Sequence, residues 1–252
     1  MKIAVITGAS SGMGKEFVRQ LEEAERFDEI WLIARRKDRM EELAGELHTK
    51  ARVIPLDLTD SNSIRKYGIL LDAAKPEVAV LVNAAGFGIF HKFTDCKPED
   101  IYGMIDLNDK ALVGMTYTSL PYMRAGGRII NLASASAFQP VPYINVYAAT
   151  KAFVLSFSRA LNVELQDRGI SVLAVCPFWT KTEFFDRARD DDTISYYSHY
   201  YTAEEVVTRA LEDLARGKDV SVCGAAVRGQ RLLVKLLPHR TVMKIWCRQQ
   251  KK

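Results

Sequence analysis

Short apolar runs rich in β-branched residues recur along the chain and alternate with stretches of helical, amphipathic periodicity. The runs occupy residues 3–6, 30–33, 78–82, 128–132 and 171–175. Strands of a parallel sheet are buried on both faces and therefore read as nearly continuous apolar segments. We expect an α/β fold, a doubly wound parallel sheet with helices on both faces. No repeat, low-complexity tract or linker divides the chain, so residues 1–252 are predicted to form a single domain.

The first apolar run leads into a glycine-rich turn, which a helix-like stretch over residues 15–25 follows. A strand, such a turn and a helix in this order aim backbone N–H groups and a helix N-terminus at a pyrophosphate. The spacing here is T-G-x-x-x-G-x-G rather than the commoner G-x-G-x-x-G. It predicts a Rossmann-type dinucleotide site, the alternative being an ordinary turn between strand and helix. The turn residues expected to contact the cofactor are Gly8, Ser10, Ser11, Gly12, Met13 and Gly14.

The second predicted strand, residues 29–34, ends in two arginines. An NAD site usually has Asp or Glu near this point to hold the ribose 2′-hydroxyl, whereas an Arg accommodates a 2′-phosphate. Ala34 stands where the acid would be, and Arg35 and Arg36 follow it. Because a guanidinium is a planar donor that matches phosphate geometry, the sequence favours NADP(H) over NAD(H). The alternative is a solvated basic loop, since residues 37–39 are also charged.

Tyr147 and Lys151 lie four residues apart in a helical stretch. Positions i and i+4 share one face of a helix, so the phenol and the ammonium can serve one site. A tyrosine alone is a poor acid–base catalyst at neutral pH, because its ordinary pKa is about 10. A fixed cation beside it favours the phenolate and lowers that pKa. The pair is a candidate catalytic unit, and an unrelated surface pair is the alternative.

With these motifs the chain resembles the short-chain dehydrogenase/reductase family, in its short single-domain branch. The resemblance extends over about residues 2–222 and includes further motifs in order. Asp57 follows the third strand, Asn83-Ala84-Ala85-Gly86 closes the fourth, and Ser134 stands thirteen residues before Tyr147. Beyond the glycine turn and the two arginines, the cofactor contacts that the resemblance implies are Asp57, Asn83, Ala84, Gly86, Tyr147, Lys151, Pro177 and Thr180.

The resemblance also implies hydride transfer between a nicotinamide and a carbonyl or alcohol carbon, with Asn108, Ser134, Tyr147 and Lys151 as the catalytic set. In the reductive direction Tyr147 would protonate the developing alkoxide, and Lys151 would lower the phenol pKa and bond the nicotinamide ribose. Ser134 would hold the carbonyl oxygen and stabilise its growing charge. Asn108 would bend its helix and hold a water that links Lys151 to solvent; alternatively it is a helix residue that only faces water.

Two features depart from the family pattern. Pro177-Phe178 replaces the usual Pro-Gly after the sixth strand, which permits backbone contact with the cofactor only if φ of Phe178 is negative. The Phe178 ring would then lie beside the nicotinamide or the substrate mouth. Ser136 lies two residues beyond Ser134 and would face the same side of an extended segment. The spacing to Tyr147 favours Ser134 as the catalytic serine.

Residues 178–202 are expected to cover the substrate, because ligands bind beyond the carboxyl ends of the strands. This segment is dense in aromatic residues, beginning with the two predicted substrate contacts Phe178 and Trp179. Such rings suit a lid over an apolar ketone, steroid-like or with an acyl chain, and equally suit packing of the loop on its own sheet. The acidic residues 190–192 are expected to form a solvated tip.

The carboxy-terminal arm, residues 225–252, combines basic and apolar side chains. No acidic residue follows Asp219, whereas eight basic ones lie in residues 228–252, so the rest of the chain carries about −4 against a total of +4. Pro238 is expected to split the arm into two short helices. The favoured interpretation is an arm packed on its own or a partner subunit, and the alternative is contact with an anionic membrane surface. No nucleic-acid motif accompanies the charge.

The remaining patterns bear on compartment and assembly. The four cysteines and four histidines are scattered, which indicates reduced thiols and no metal site. No signal peptide or spanning segment is evident, so a cytoplasmic protein is expected. Apolar residues at 153, 157, 161 and 165 form a stripe on a helix over roughly 143–167, which is either core or the interface of a homo-oligomer. Besides an oxidoreductase, a catalytically silent dinucleotide sensor and a peripheral membrane protein fit the chain.

Overall fold

In the computed structural model, residues 1–188, 193–197 and 199–252 are described. Seven parallel strands form one sheet in the order β3-β2-β1-β4-β5-β6-β7. The strands are Lys2–Thr7 (β1), Glu29–Ala34 (β2), Ala51–Pro55 (β3), Glu77–Asn83 (β4), Arg128–Leu132 (β5), Ser171–Val175 (β6) and Val220–Ser221 (β7). The strand order reverses between β1 and β4, and ligands of such sheets bind at that point, beyond the carboxyl ends of the strands. The tip predicted at residues 190–192 lies outside the described residues.

Ten α-helices are described, and those that follow the strands cover both faces of the sheet. They are Gly12–Ala24 (α1), Lys37–Glu46 (α2), Ser61–Ala74 (α3), Pro98–Ile105 (α4), Ala111–Ser119 (α5), Asn145–Glu164 (α6), Phe184–Ala188 (α7), Ala203–Ala215 (α8), Ala225–Leu236 (α9) and His239–Gln249 (α10). The expected doubly wound architecture is therefore confirmed.

Two apolar cores lie on opposite faces of the sheet. On one face, Phe17 and Leu21 of α1 and Val207 of α8 pack against alternate residues of the strands. On the other, Tyr67 of α3 and Met115 of α5 pack against the intervening strand residues. Successive side chains of a strand point to opposite faces, so each buried strand supplies both cores. This double burial is the physical reason for the continuous apolar runs in the sequence.

The helix that carries Tyr147 and Lys151 is α6, and it is shorter than its periodicity suggests. Tyr143 adopts φ +69°, which a helix does not tolerate, so α6 begins at Asn145. Of the apolar stripe predicted on this helix, Leu161 and Leu165 are buried in the core, whereas Phe153 is exposed and stacks on the Phe157 ring. The stripe is therefore divided between the core and the surface.

Candidate active site

The glycine turn forms a cradle of the shape that a pyrophosphate requires. Gly8 has φ +67°, and a Cβ on Gly14 would lie 2.2 Å from the carbonyl oxygen of Gly8. Neither position accepts a side chain without moving backbone. The N-cap of α1, Ser11, makes no capping bond through its side chain, so the first amides of α1 face the turn uncapped. The residues present fit the diphosphate of a dinucleotide.

Arg36 lies directly against this turn. Its guanidinium donates to Ser11 Oγ at 2.7 Å and to Ser10 Oγ at 3.2 Å. It also donates to Glu183 Oε2 at 2.8 Å, and the other oxygen of Glu183 accepts from Arg39 at 2.5 Å. Two guanidiniums thus converge on one carboxylate at the edge of the turn, a grouping that would suit a phosphate equally well.

The other predicted cofactor residues occupy two different environments. Asp57 accepts bonds from the backbone N and Oγ1 of Thr59; burial opposes its ionisation, but these bonds and the nearby charge of Arg35 hold its pKa below the ordinary value. Asn83 instead lies in the interior, where its amide donates to Thr116 Oγ1 at 3.0 Å and to Asn131 Oδ1 at 2.9 Å. Its side chain links β4 to β5 and to α5, and a cofactor contact of Asn83 stays a prediction.

Ser134, Tyr147 and Lys151 meet at the end of β5. Lys151 Nζ donates to the carbonyl oxygen of Leu132 at 2.7 Å and lies 5.7 Å from the centroid of the Tyr147 ring. Ser134 caps the short 3₁₀ turn that follows β5, and its Oγ accepts from the backbone N of Ser136 at 3.2 Å. All three catalytic candidates are buried and line one cavity. The structure thus brings together groups that lie up to 17 positions apart in the sequence.

Burial dominates the titration of this cluster. It raises the pKa of Tyr147 to about 12, although the Ser134 hydroxyl acts in the opposite direction. It also lowers the pKa of Lys151 to about 8, against the carboxylate of Asp109, which raises it. The expected lowering of the phenol pKa is therefore outweighed by desolvation. At neutral pH the site holds a neutral phenol beside an ammonium, the state from which a proton can be donated.

Asn108 connects the loop that follows β4 to α6 through hydrogen bonds. It sits within a single π-helical turn, Asp106–Lys110, that joins α4 to α5. Its Oδ1 accepts from the backbone N of Phe87 at 3.0 Å, and its Nδ2 donates to the Phe87 carbonyl at 2.9 Å and to Thr150 Oγ1 at 3.1 Å. It is buried, so it does not merely face water. A Cβ on Gly86 would lie 2.9 Å from Asn108 Oδ1, which explains the glycine.

The next residue, Asp109, was not among the sequence-based candidates. Its Oδ1 is buried without a hydrogen-bond partner, and burial raises its pKa to about 7 against the opposing charge of Lys151. A neighbouring carboxylate stabilises the charged form of an ammonium. Asp109 is therefore an electrostatic partner of Lys151. In the sequence, only its position next to Asn108 could have identified Asp109 as a site residue.

The cleft continues into a largely apolar cavity of about 620 Å³. Met13, Ala84 and Gly86 line its cofactor side, where Pro177 and Thr180 also lie. Cavities of this size and character hold small-molecule ligands. The cavity therefore extends from the cleft beside the glycine turn into a largely apolar space.

Both predicted substrate aromatics line this cavity. Phe178 is not among the residues with positive φ, so the condition for backbone contact is met. Its ring lies 5.4 Å from that of Trp179, which in turn stacks at 6.5 Å on Trp246 of α10. Aromatic residues of the loop pack on one another, and several of them also line the cavity; that the loop covers a substrate stays a prediction.

Ser136, the rival serine, also borders the cavity. The sequence predicted an extended segment in which Ser134 and Ser136 face the same side. Residues Ala135–Phe138 instead form a 3₁₀ turn. Ser136 Oγ is buried and has no hydrogen-bond partner. The hydroxyl of Ser136 is therefore available to the cavity but is not the one that influences Tyr147.

The carboxy-terminal arm forms the far wall of the cavity, which the sequence did not predict. Pro238 separates α9 from α10, as expected. The lining residues contributed by the arm are Ala226, Gly229, Gln230, Leu233, Val234, Leu237, Val242, Ile245, Trp246 and Gln249. The arm thus packs on its own subunit and encloses the predicted substrate space.

Gln250 ties the end of the arm to the loop over the cavity. Its Oε1 accepts from the backbone N of both Ser195 and Tyr196 at 3.0 Å, and its Nε2 donates to the Tyr196 carbonyl at 3.2 Å. The side chain is buried. A buried amide with three bonds to another segment holds that segment in place. Loop and arm therefore form one cover.

A doubly wound sheet with a glycine-turn dinucleotide cradle and a Ser–Tyr–Lys cluster defines an NAD(P)-dependent dehydrogenase/reductase. Comparison with known proteins gives the same class. The model of the short chain dehydrogenase family matches residues 2–193. This chain is a member of the short-chain dehydrogenase/reductase family.

Relatives and solved structures agree with this membership. A Danio rerio very-long-chain 3-oxoacyl-CoA reductase-B is 36% identical over 190 residues, which cover 72% of this chain and 60% of that protein. A short-chain dehydrogenase from Sphingobium yanoikuyae in complex with NADPH has a TM-score of 0.79 at 30% identity, over 97% of this chain and 96% of that one. A bulky-bulky ketone specific alcohol dehydrogenase from Comamonas testosteroni has a TM-score of 0.75 at 27% identity, over 97% and 94% of the two chains.

Two features are absent from the described part of the chain. Within it, no helix combines the length and the apolar character needed to cross a bilayer. In the same residues, no three His, Cys, Asp or Glu side chains are grouped as metal ligands.

Proposed function

We propose that the protein is an NADP(H)-dependent oxidoreductase that interconverts an apolar ketone and its secondary alcohol, with Tyr147 as the general acid/base. One observation carries the proposal: Ser134, Tyr147 and Lys151 open onto a single apolar cavity that Met13 and Gly86 of the cofactor side also line. The proton-handling groups therefore border both the cofactor cleft and the space for an apolar carbonyl compound.

A bound nicotinamide cofactor supplies or accepts the hydride. In reduction, Tyr147 donates its phenolic proton to the carbonyl oxygen as that oxygen gains negative charge. Ser134 donates a hydrogen bond to the same oxygen, and this preplaced donor stabilises the charge at little cost of reorganisation. The ammonium of Lys151 stabilises the phenolate left on Tyr147, a larger effect in a buried site than in water. Oxidation of the alcohol reverses each proton movement.

The lining of the cavity supports an apolar substrate. Val141, Ile144 and Phe178 surround the space beyond Tyr147, and Trp179 and Trp246 cover it. The Danio rerio relative is named as a reductase of very-long-chain 3-oxoacyl-CoA, and the Comamonas testosteroni enzyme as specific for bulky ketones. We accordingly assign a ketone with an acyl chain or another bulky apolar substituent as the substrate class.

The arginines beside the glycine turn support NADP(H) as the preferred cofactor. Arg36 and Arg39 converge on Glu183, and Arg36 also contacts Ser10 and Ser11 of the turn. A ribose 2′-phosphate would take the place of the Glu183 carboxylate between the two guanidiniums. Position 34, at the end of β2, is Ala instead of the acidic residue that would bond a free 2′-hydroxyl.

We also infer a homo-oligomer in the cytoplasm. Exposed apolar side chains gather on α4, α5 and α6, among them Tyr102, Tyr117 and Phe153. Apolar groups at such exposure on adjacent helices suit an interface with a second copy. No disulfide joins cysteines in the described part of the chain, which suits a reducing compartment.

The test is NADPH oxidation by the purified protein against matched ketones of increasing apolar size, with NADH in parallel. The proposal predicts turnover with NADPH that improves with the size of the apolar substituent until the cavity is filled. Turnover that falls monotonically with apolar size, or a preference for short polar aldehydes, would contradict the substrate class. NADPH binding without turnover on any member of the series would favour a dinucleotide sensor.

A further inference from the structure

Helix α9 is apolar on two opposite sides. Val227 and Val234 point inward and are buried. Leu232, Leu233 and Leu236 lie on the other side, with 64%, 56% and 83% of their surfaces exposed. Leu236 lies four residues after Leu232 and three after Leu233, and residues three or four apart share one face of a helix, so the three leucines form one exposed apolar patch. Contiguous exposed apolar side chains of this kind are typical of a protein-binding or membrane-binding surface.

Exposed basic residues accompany this leucine patch on the same arm. Lys235 lies beside it on α9, and Arg240, Lys244 and Arg248 recur at four-residue intervals along α10, all of them exposed. No described acidic residue forms an ion pair with any of the eight basic side chains of the arm. Elsewhere the surface charges are commonly paired, as Arg159 is with Asp219 at 2.6 Å. With respect to the described residues, the arm therefore presents positive charge without acidic partners, together with exposed leucines.

The combination of exposed leucines and positive charge distinguishes between a second copy of the chain and a lipid surface as the partner of this face. A second copy packed through the same face would bring its own basic arm against this one, and like charges across an interface are repulsive. Exposed leucines together with lysine and arginine are the composition of helices that lie in the interface of an anionic bilayer. We propose that the leucine patch and the basic face of α10 dock on an anionic lipid surface, with Leu232, Leu233 and Leu236 at the boundary of the acyl chains.

The proposed docking face lies beside the entrance of the cavity. Leu233 and Ile245 are both exposed, and both line the cavity. An apolar molecule could pass from the bilayer into the cavity without crossing water, which removes the hydrophobic cost of desorption. This delivery step rests on the function proposed above, whereas the docking itself does not.

The experiment is co-sedimentation of the full chain with vesicles of phosphatidylcholine and phosphatidylglycerol in equal parts, and with vesicles of phosphatidylcholine alone. We expect binding to the anionic vesicles, loss of binding at high salt, and little binding to the neutral vesicles. Leu236→Ser and Lys244→Glu should each lower the partition coefficient on the order of tenfold. Because no activity is measured, failure of the docking and failure of the proposed reaction are distinguishable.

Ile69→Ser is the matched control, since Ile69 on α3 is exposed to 55% and lies outside the arm. It should bind anionic vesicles like the unsubstituted protein, and far-ultraviolet circular dichroism should show that every variant is folded. No binding to anionic vesicles, or equal binding by Leu236→Ser and the unsubstituted protein, would overturn the proposal. A change of oligomeric state in Leu236→Ser without any vesicle binding would also overturn it and would assign the patch to a second copy.

Discussion

Lys151 is anchored to the end of β5: its Nζ donates to the carbonyl oxygen of Leu132 at 2.7 Å. The ammonium is therefore held in one place within an apolar surrounding, close to the ring of Tyr147. A fixed charge in a buried site acts more strongly than a mobile one in water. The same burial makes Lys151 titrate near the physiological range, from which a pH dependence follows.

We predict that kcat/KM for ketone reduction falls as pH rises through about 8. Burial lowers the pKa of Lys151 to about 8, so the ammonium is present below that pH and lost above it. Asp109→Asn should shift the fall to lower pH, because the carboxylate that raises the pKa of Lys151 is removed. Initial rates of NADPH oxidation across neutral and alkaline pH provide the measurement.

Asp106→Asn is the control for this shift. Asp106 lies on the same π-helical turn, but its carboxylate pairs with Lys110 at 3.3 Å near the surface. Its replacement should leave the pH profile unchanged. If Asp109→Asn also leaves the profile unchanged, Asp109 has no electrostatic influence on Lys151.

The two serines at the end of β5 should differ sharply in their effects. Ser134→Ala should lower kcat on the order of 10²-fold, because it removes a donor from the developing oxyanion. Ser136→Ala should change kcat by only a few-fold, since its buried hydroxyl has no partner and does not act on Tyr147. The measurement is kcat from steady-state kinetics of both variants. Comparable losses of kcat would mean that both serines hold the substrate oxygen.

Cofactor preference should depend on Arg36 and Glu183. Arg36→Ala should raise the Kd for NADPH about tenfold or more with a much smaller effect on NADH, because a charge-assisted bond to the 2′-phosphate is lost. Glu183→Gln should lower the Kd for NADPH, because the Glu183 carboxylate competes with the 2′-phosphate for Arg36 and Arg39. The Kd values come from cofactor fluorescence.

Lys37→Ala serves as the control for the cofactor variants. Lys37 follows Arg36 directly but is exposed and pairs with Glu41 at 3.2 Å. It should not change either Kd. Equal effects of Arg36→Ala on NADPH and NADH would show that this guanidinium does not bind the 2′-phosphate.

Gln250→Ala should loosen the cover of the cavity. The substitution leaves the backbone N–H groups of Ser195 and Tyr196 without their acceptor, at a local cost of about 1–3 kcal/mol each if they stay buried. We expect a higher KM for the apolar substrate, an unchanged Kd for NADPH, and faster amide hydrogen exchange in residues 193–197. Gln166→Ala, at an exposed position, is the control. Unchanged exchange in Gln250→Ala would show that the amide does not hold the loop.

The sequence predicted the sheet well because its signals are local. Each apolar run in the sequence lies within a strand, and the glycine turn and the Tyr147–Lys151 spacing are read over a few consecutive residues. Gln250 and Glu183 were missed because their partners lie 54 and 147 positions away, and no local pattern records such a contact.

The arm shows a second limit of sequence reasoning. Its alternating leucines and basic residues predict amphipathic helices, but not which leucines face the core. Only the fold shows that Val234 is buried and lines the cavity while Leu236 points outward. The role of the arm in the cavity wall depends on that packing.

The central claim is that Tyr147 supplies the proton for ketone reduction, and Tyr147→Phe tests it most directly. The ring and its packing against Phe90 and Phe184 are kept, and only the hydroxyl is removed. Single-turnover oxidation of bound NADPH by an apolar ketone should slow on the order of 10²–10⁴-fold, while the Kd for NADPH stays within a few-fold of its original value. Oxidation at the original rate by a variant that binds NADPH normally would contradict the assignment of Tyr147 as the acid.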